Sequence, residues 1–248
     1  MKEKKDKKFL HHQIGKGSGF TAKFIGSFKQ VVFGLEDGVV STLGALTGIA
    51  GGVQNSHVVI LSGFVIIFVE SLSMAAGTFL SEKSDQEVDE KMLQEQRDEI
   101  RDNPEEGKKL LRDSYMARGF SEDEITILMK RVTADSDLWL EEIAHKELGI
   151  IPHKDVTPKT DATFMGVSYI VGGSLPLASY FFLPLAYALP VSVVSCVVFL
   201  FFMGYVKGKL VSINKVKSGL EMMLVSLSAA GLGYIVGSVV GALFDIQI

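Results

Sequence analysis

Residues 57–80 read HVVILSGFVIIFVESLSMAAGTFL, and residues 81–101 read SEKSDQEVDEKMLQEQRDEIR. The first stretch carries one charged side chain, Glu70, whereas the second is charged along its whole length. A hydrocarbon core about 30 Å thick takes about 20 apolar residues as an α-helix, and the first stretch supplies them. Glu82 to Arg101 contains neither Gly nor Pro, so it is expected to carry the same helix onward into water. An apolar span running into a charged helix is a membrane segment joined to a soluble one.

Four more stretches meet the same length requirement: near Phe28 to Gly52, about Ala162 to Leu183, about Leu185 to Val206, and about Leu220 to Phe244. The expected fold class is therefore an all-α membrane protein with five transmembrane helices and a helical insert between the second and third. The expected organisation is a basic tail over 1–27, helices 1 and 2 over 28–81, the insert over 82–160, and helices 3–5 over 161–248. Overall composition, 47% hydrophobic and 22% charged, would suit a soluble protein, but the charges are segregated. No Lys or Arg lies between Lys29 and Lys83, between Lys159 and Lys207, or after Lys217. A Lys or Arg at the centre of a span costs roughly 2.5–3.5 kcal/mol on insertion scales, which accounts for their exclusion.

The cations also orient the chain. The amino-terminal tail, the insert and the Lys207–Lys217 loop carry several each, while the loops near Asn55 and Leu183 and the tail after Phe244 carry none. The positive-inside rule then places tail, insert and Lys207–Lys217 loop in the cytoplasm and the carboxyl terminus outside. The basic start, MKEKKDKK, is not followed by a short apolar region with a small-residue cleavage site, so it reads as a retained tail. These features point to a multi-pass protein of a prokaryotic plasma membrane. The single cysteine, Cys196, excludes a disulfide framework or a cysteine-built zinc site within one chain. Nothing in the charge pattern calls for a nucleic-acid partner.

Within the insert, Asp102-Asn-Pro104 predicts a helix start with proline at the first helical position, and Gly119 its end. Ser121-Glu-Asp-Glu124 is a capping box opening a further helix, and another is expected from about Asp135 to Leu148, stopped by Gly149. Met92, Leu93, Leu110, Leu111, Tyr115, Ile125, Leu128, Leu138, Trp139 and Ile143 recur at helical spacing, which predicts a small packed module.

Ionisable residues at membrane depth are expensive and mark function. Glu36 and Asp37 lie in the first span, and Glu70 in the second with Met74 four residues later on the same helical face. Carboxylate oxygens with a thioether suit a divalent transition metal such as Mn²⁺ or Fe²⁺ better than Ca²⁺ or Mg²⁺. The plain alternative has Glu36 reaching the interface, Glu70 neutral in a helix contact and Met74 filling space. With no intramembrane Lys or Arg to pair with them, Asp37 and Glu70 are read as functional. The Gly34-x-x-x-Gly38, Gly44-x-x-x-Gly48-x-x-x-Gly52 and Gly233-x-x-x-Gly237-x-x-x-Gly241 runs serve close helix packing, equally within one chain or across a dimer. In the insert, Glu142-Ile-Ala-His145 has the Glu-x-x-His spacing of di-iron bundles, but one copy stands where that architecture needs two.

Taken together, Asp37-Gly38 with Ser41-Thr42, Ser73-Met-Ala-Ala-Gly77, Tyr115-x-x-Arg-Gly119 and Glu147-Leu-Gly-Ile150 resemble the vacuolar iron transporter family from Phe28 onward. That family exchanges Fe²⁺ or Mn²⁺ for protons. The resemblance implies a transmembrane metal pathway using Asp37 and Met74, lined by the first spans of two subunits. It also implies a cytoplasmic metal module, of which Glu99 and Glu147 retain two glutamates. The remaining positions fall near Gln96, Gly107, Leu110 and Ile143, and the glutamate that often follows the Met-Ala-x-Gly run is Thr78, so the cytoplasmic site looks depleted. Glu95, Glu142 or His145 are the available substitutes.

The reading is a proton-coupled exporter of Fe²⁺ and/or Mn²⁺, a homodimer in the lipid bilayer, with no prosthetic group and no enzymatic activity. Its metal residues are Asp37, Met74, Glu70, Glu99, Glu147, Glu95 and Glu142. The alternatives are a membrane-anchored metal sensor or scaffold through which no ion passes, and a di-iron oxidase built on Glu95, Glu99, Glu142 and His145.

Overall fold

The structure, a computed structural model, describes residues 19–53, 55–144 and 156–244. Among them the chain is all helix. The helices are α1 (Gly19–Gly26), α2 (Phe28–Gly52), α3 (Ser56–Asp102), α4 (Pro104–Ala117), α5 (Glu122–Val132), α6 (Ser136–Ile143), α7 (Pro158–Phe182), α8 (Leu185–Leu210) and α9 (Lys215–Phe244). Five of these, α2, α3, α7, α8 and α9, are long and apolar enough to cross a membrane. The third and fifth spans begin four or five residues earlier than the hydropathy predicts, because polar first turns extend the helices beyond their apolar stretches. The short helix α1 falls where a basic tail is expected. The amino-terminal basic run, His145, Glu147 and Gly149 lie outside the described residues.

The chain divides into two compact units, Met1–Phe79 with Pro158–Ile248, and Leu80–Thr157. In the first, α2 is central and packs along α7 on one side and α9 on the other, with α8 against α9 and α7. Both contacts of α2 are made by backbone. A Cβ on Gly34 would lie 2.7 Å from the Met165 carbonyl oxygen, and one on Gly38 would run into the Tyr169 carbonyl. On the other face a Cβ on Gly48 would lie 2.8 Å from the Gly233 carbonyl oxygen, and one on Gly237 would collide with that of Gly48. The glycine runs of α2 and α9 therefore face each other within one chain, which resolves the choice left open by their spacing. Hydrocarbon provides no hydrophobic drive between helices, so contact at this range, with its dispersion gain, is what associates them.

Proline inside α7 and α8, Pro176 and Pro190, removes a helical donor at each place. The buried Ser192 hydroxyl of α8 donates to the Pro176 carbonyl oxygen at 2.8 Å, tying these two helices together. Side chains such as Leu61, Phe68 and Leu72 of α3 and Leu232 and Val236 of α9 are exposed, as apolar groups are where the solvent is lipid.

The second unit has its own core. Ile100, Leu111, Tyr115, Ile125, Val132, Trp139, Leu140 and Ile143 form one buried cluster, backed by Leu93, Leu128, Met129 and Leu138. Most of the helically spaced apolar residues thus converge, although Leu110 is turned outward. The element boundaries follow local chemistry. Pro104 opens α4, Gly119 takes a left-handed φ of +86° after it, and Asp135 caps α6 through bonds from Asp137 N and Leu138 N. In the first turn of α5, the Glu124 carboxylate accepts from Ser121 N at 2.9 Å and Ser121 Oγ at 2.7 Å. Those bonds hold the Glu124 carboxyl below its usual range.

Gly237→Leu should lower the thermal midpoint in detergent by several degrees, on the scale of an overpacking cost of ~1–3 kcal/mol. Gly231→Ala, where a Cβ meets nothing within 4 Å, should leave it level or slightly higher. Because the Glu124 carboxyl is held low, its contribution is present above the ordinary glutamate value and lost as pH falls through the depressed one. Acid melts followed by circular dichroism should therefore converge for wild type and Glu124→Gln only at the acid end.

Candidate functional site

The two glycines that bring α7 against α2 bracket Asp37. Gly34 and Gly38 let the Tyr169 segment of α7 pass at backbone distance, and one turn beyond Asp37 the Ser41 hydroxyl meets the Tyr169 phenol at 2.5 Å. Ser41 Oγ also donates to the Asp37 carbonyl oxygen at 2.7 Å. Its one proton being spent there, the phenol is the donor in the Tyr169–Ser41 bond. The Thr42 hydroxyl acts on the same phenol oxygen without completing a hydrogen bond of its own.

The third contributor is α3. Its Glu70 carboxylate comes close enough to act electrostatically on both Asp37 and Tyr169. Asp37 is half-buried and Glu70 is exposed on the surface of the single chain. The cluster therefore joins two carboxylates, a phenol and two hydroxyls from three helices, in a region where no Lys or Arg occurs on any of them. Like charges at short range in a poorly screening medium repel strongly, and a bound cation relieves that repulsion.

Sequence-predicted residues fare unevenly against this geometry. Asp37 and Glu70 are brought together. Met74 is half-buried, four residues beyond Glu70 on α3, and takes no part in the cluster's hydrogen bonds. Glu36 is half-buried one position before Asp37. In the second unit, Glu95 is exposed and pairs with Lys91 at 3.6 Å. Glu99 accepts from Gln96 Nε2 at 3.2 Å, and Glu142 accepts from the Tyr115 phenol at 3.3 Å. The buried Gln96 presents a neutral amide beside Glu99. Glu147 is outside the described residues. Among those described, no three His, Cys, Asp or Glu residues gather to hold a metal ion. Tyr169 escapes a reading of ionisable motifs. Its available signal is a lone phenol between Gly166 and Gly172-Gly173, on the face of α7 that must lie against another backbone.

Five membrane-length helices around a polar cluster define a multi-pass helical membrane protein. The model of the VIT family matches residues 28–238, and the chain belongs to that family. It is similar to "Vacuolar iron transporter 2" of Oryza sativa subsp. japonica, 27% identical over 216 residues, covering 85% of this chain and 88% of that protein. It is also similar to "Vacuolar iron transporter 1" of Arabidopsis thaliana, 24% identical, covering 86% and 85%. "Protein CCC1" of Saccharomyces cerevisiae is 27% identical, covering 82% of this chain and 66% of its own length.

Tyr169→Phe should destabilise the protein in detergent by about 1 kcal/mol, the net worth of one hydrogen bond. Ser41→Ala should cost more, since it strands a buried phenol. Thermal unfolding of both variants checks the order.

Proposed function

We propose that the chain carries a divalent transition metal, Fe²⁺ or Mn²⁺, across a membrane in exchange for protons. The observation behind this is the Asp37–Glu70 pair, two carboxylates from different membrane helices with no basic side chain paired to them among the described residues. In a chain of the VIT family, whose relatives bear the names of iron transporters, the missing positive charge is read as the cargo. Hard carboxylate oxygens suit Fe²⁺ and Mn²⁺. Asp37 accepts the ion, Glu70 shares its charge, and Met74 one turn further along α3 offers a softer ligand on the path. The hydroxyls of Ser41 and Tyr169 hold the α2 backbone beside Asp37 in register.

The cation distribution argues that Leu80–Thr157 and the Lys207–Lys217 loop face the cytoplasm and that the carboxyl terminus lies outside. Export from the cytoplasm follows, into a vacuole if the relatives' names carry over, or across a plasma membrane as the sequence reading has it. A homodimer is proposed on the exposure of Glu70. A mid-span carboxylate turned outward from the single chain faces a second copy more readily than lipid, where charge is costly. No catalytic role is proposed. The insert carboxylates Glu95, Glu99 and Glu142, each with a cation or donor of its own, are assigned a lesser part in metal handling.

Purified protein in liposomes tests the proposal. Fe²⁺ or Mn²⁺ flux under a pH gradient should fall roughly ten-fold or more in Asp37→Asn and in Glu70→Gln, the scale on which loss of a partner acts at a metal site. Glu95→Gln and Glu142→Gln should change it by less than about two-fold. Absence of flux in the wild type would favour the sensor or scaffold reading instead.

A further inference from the structure

A buried carboxylate of the membrane unit stands apart from half-buried Asp37 and exposed Glu70. Asp161 lies in the first turn of α7 and is 6% exposed, and its Oδ1 has no hydrogen-bond partner. The helix N-terminus favours an anion there but supplies nothing to that oxygen. A buried carboxylate oxygen left without a donor is costly to a fold. The lysines nearest in sequence on α1, α2 and α7, namely Lys23, Lys29 and Lys159, are all exposed. The acidic residues of α2, Glu36 and Asp37, lie roughly 10 Å further along the helix than Gln30 by the rise per residue.

The register of the α2–α7 contact identifies what faces Asp161. Gly34 meets Met165 and Ser168, and Gly38 meets Tyr169 and Gly173, so the two helices run parallel and in step. One turn before Met165 is Asp161. One and two turns before Gly34, on the same face of α2, are Gln30 and Ser27. Both are buried, Gln30 at 8% and Ser27 at 0% exposure, and the Ser27 hydroxyl also lacks a partner. Over this end Phe24 of α1 packs edge-on against Phe28 of α2 and Phe164 of α7. Two unpartnered oxygens and an amide are thus enclosed where three helices meet.

These donors are all hard, and they carry one negative charge between them. A transition metal would seek more charge or a softer ligand, whereas a single positive charge balances a single carboxylate. We propose that Asp161, with Ser27 and Gln30, binds the monovalent cation that drives transport, a proton or a sodium ion, at a site separate from the Asp37–Glu70 cluster. The proposal rests on the transport reading above. Both sites share the α2–α7 contact, so filling one alters the packing on which the other depends, and this is the physical form a coupling between them takes.

The test uses the full chain in liposomes with Mn²⁺ as the probe, comparing flux with and without an opposing H⁺ gradient and, separately, an opposing Na⁺ gradient. The wild type should move Mn²⁺ roughly five-fold faster or more under one gradient, which identifies the cation. Asp161→Asn should bring that ratio to about one and Asp161→Glu should restore much of it. An Asp161→Asn ratio equal to that of the wild type overturns the site, as does a wild type indifferent to both gradients. Should Asp161→Asn fail to fold, Ser27→Ala takes its place, and an unchanged ratio there overturns the site equally. If the wild type carries no Mn²⁺ at all, the transport reading fails on its own, and binding is read from stability. The melting temperature in detergent should then rise more for wild type than for Asp161→Asn when Na⁺ replaces choline or when pH falls. Equal responses overturn the proposal.

Discussion

The backbone approach of α2 to α7 and α9 is the constraint on which the membrane unit depends. In hydrocarbon there is no water to expel from between helices, so side-chain burial does little to hold them together. Packing must come from contact at short range, and that requires faces without Cβ atoms. α2 has two such faces. Gly34 and Gly38 admit α7, while Gly44, Gly48 and Gly52 admit α9. Leucine or valine at these places would widen the spacing by the thickness of a side chain. The Tyr169 phenol would then no longer reach Ser41, and the polar cluster would lose the member that pins it to α7.

That same closeness makes charge at membrane depth tolerable. The Asp37 backbone is tied through Ser41 to a phenol of another helix, so its carboxylate projects from a fixed point. Glu70 approaches from α3 and adds a second negative charge. The arrangement contrasts with Leu80–Thr157, where acidic residues are numerous and several have partners of their own. Glu95 has Lys91, Glu99 has Gln96, Glu142 has Tyr115, and Glu124 has the two donors of Ser121. A matched carboxylate has little left to offer an ion.

Asp161 extends the argument to the other end of the α2–α7 contact. It is close in sequence to exposed Lys159, and a reading by hydropathy leaves it at the margin of a span. At the same end of the α2–α7 contact, Phe24 of α1 packs against Phe28 and Phe164. A carboxylate at a helix start is ordinary, but one buried with no donor to its Oδ1 is not.

Much of this was legible in the residues themselves. The number of spans, their helical class, and the starts marked by Pro104, Ser121 and Asp135 follow from periodicity, exclusion of cations and capping chemistry. These are local properties, readable within a turn or two of the chain. Asp37 and Glu70 were also legible, since a carboxylate in an apolar run announces itself. Only the tertiary structure decided that the glycine runs of α2 and α9 face each other, that Glu70 lies near Asp37, that Tyr169 joins them, and that Asp161 is buried. Those facts depend on the rotation and register of helices far apart in sequence. Such relations are set by how two surfaces fit, and no local pattern along one helix encodes the face its neighbour will present.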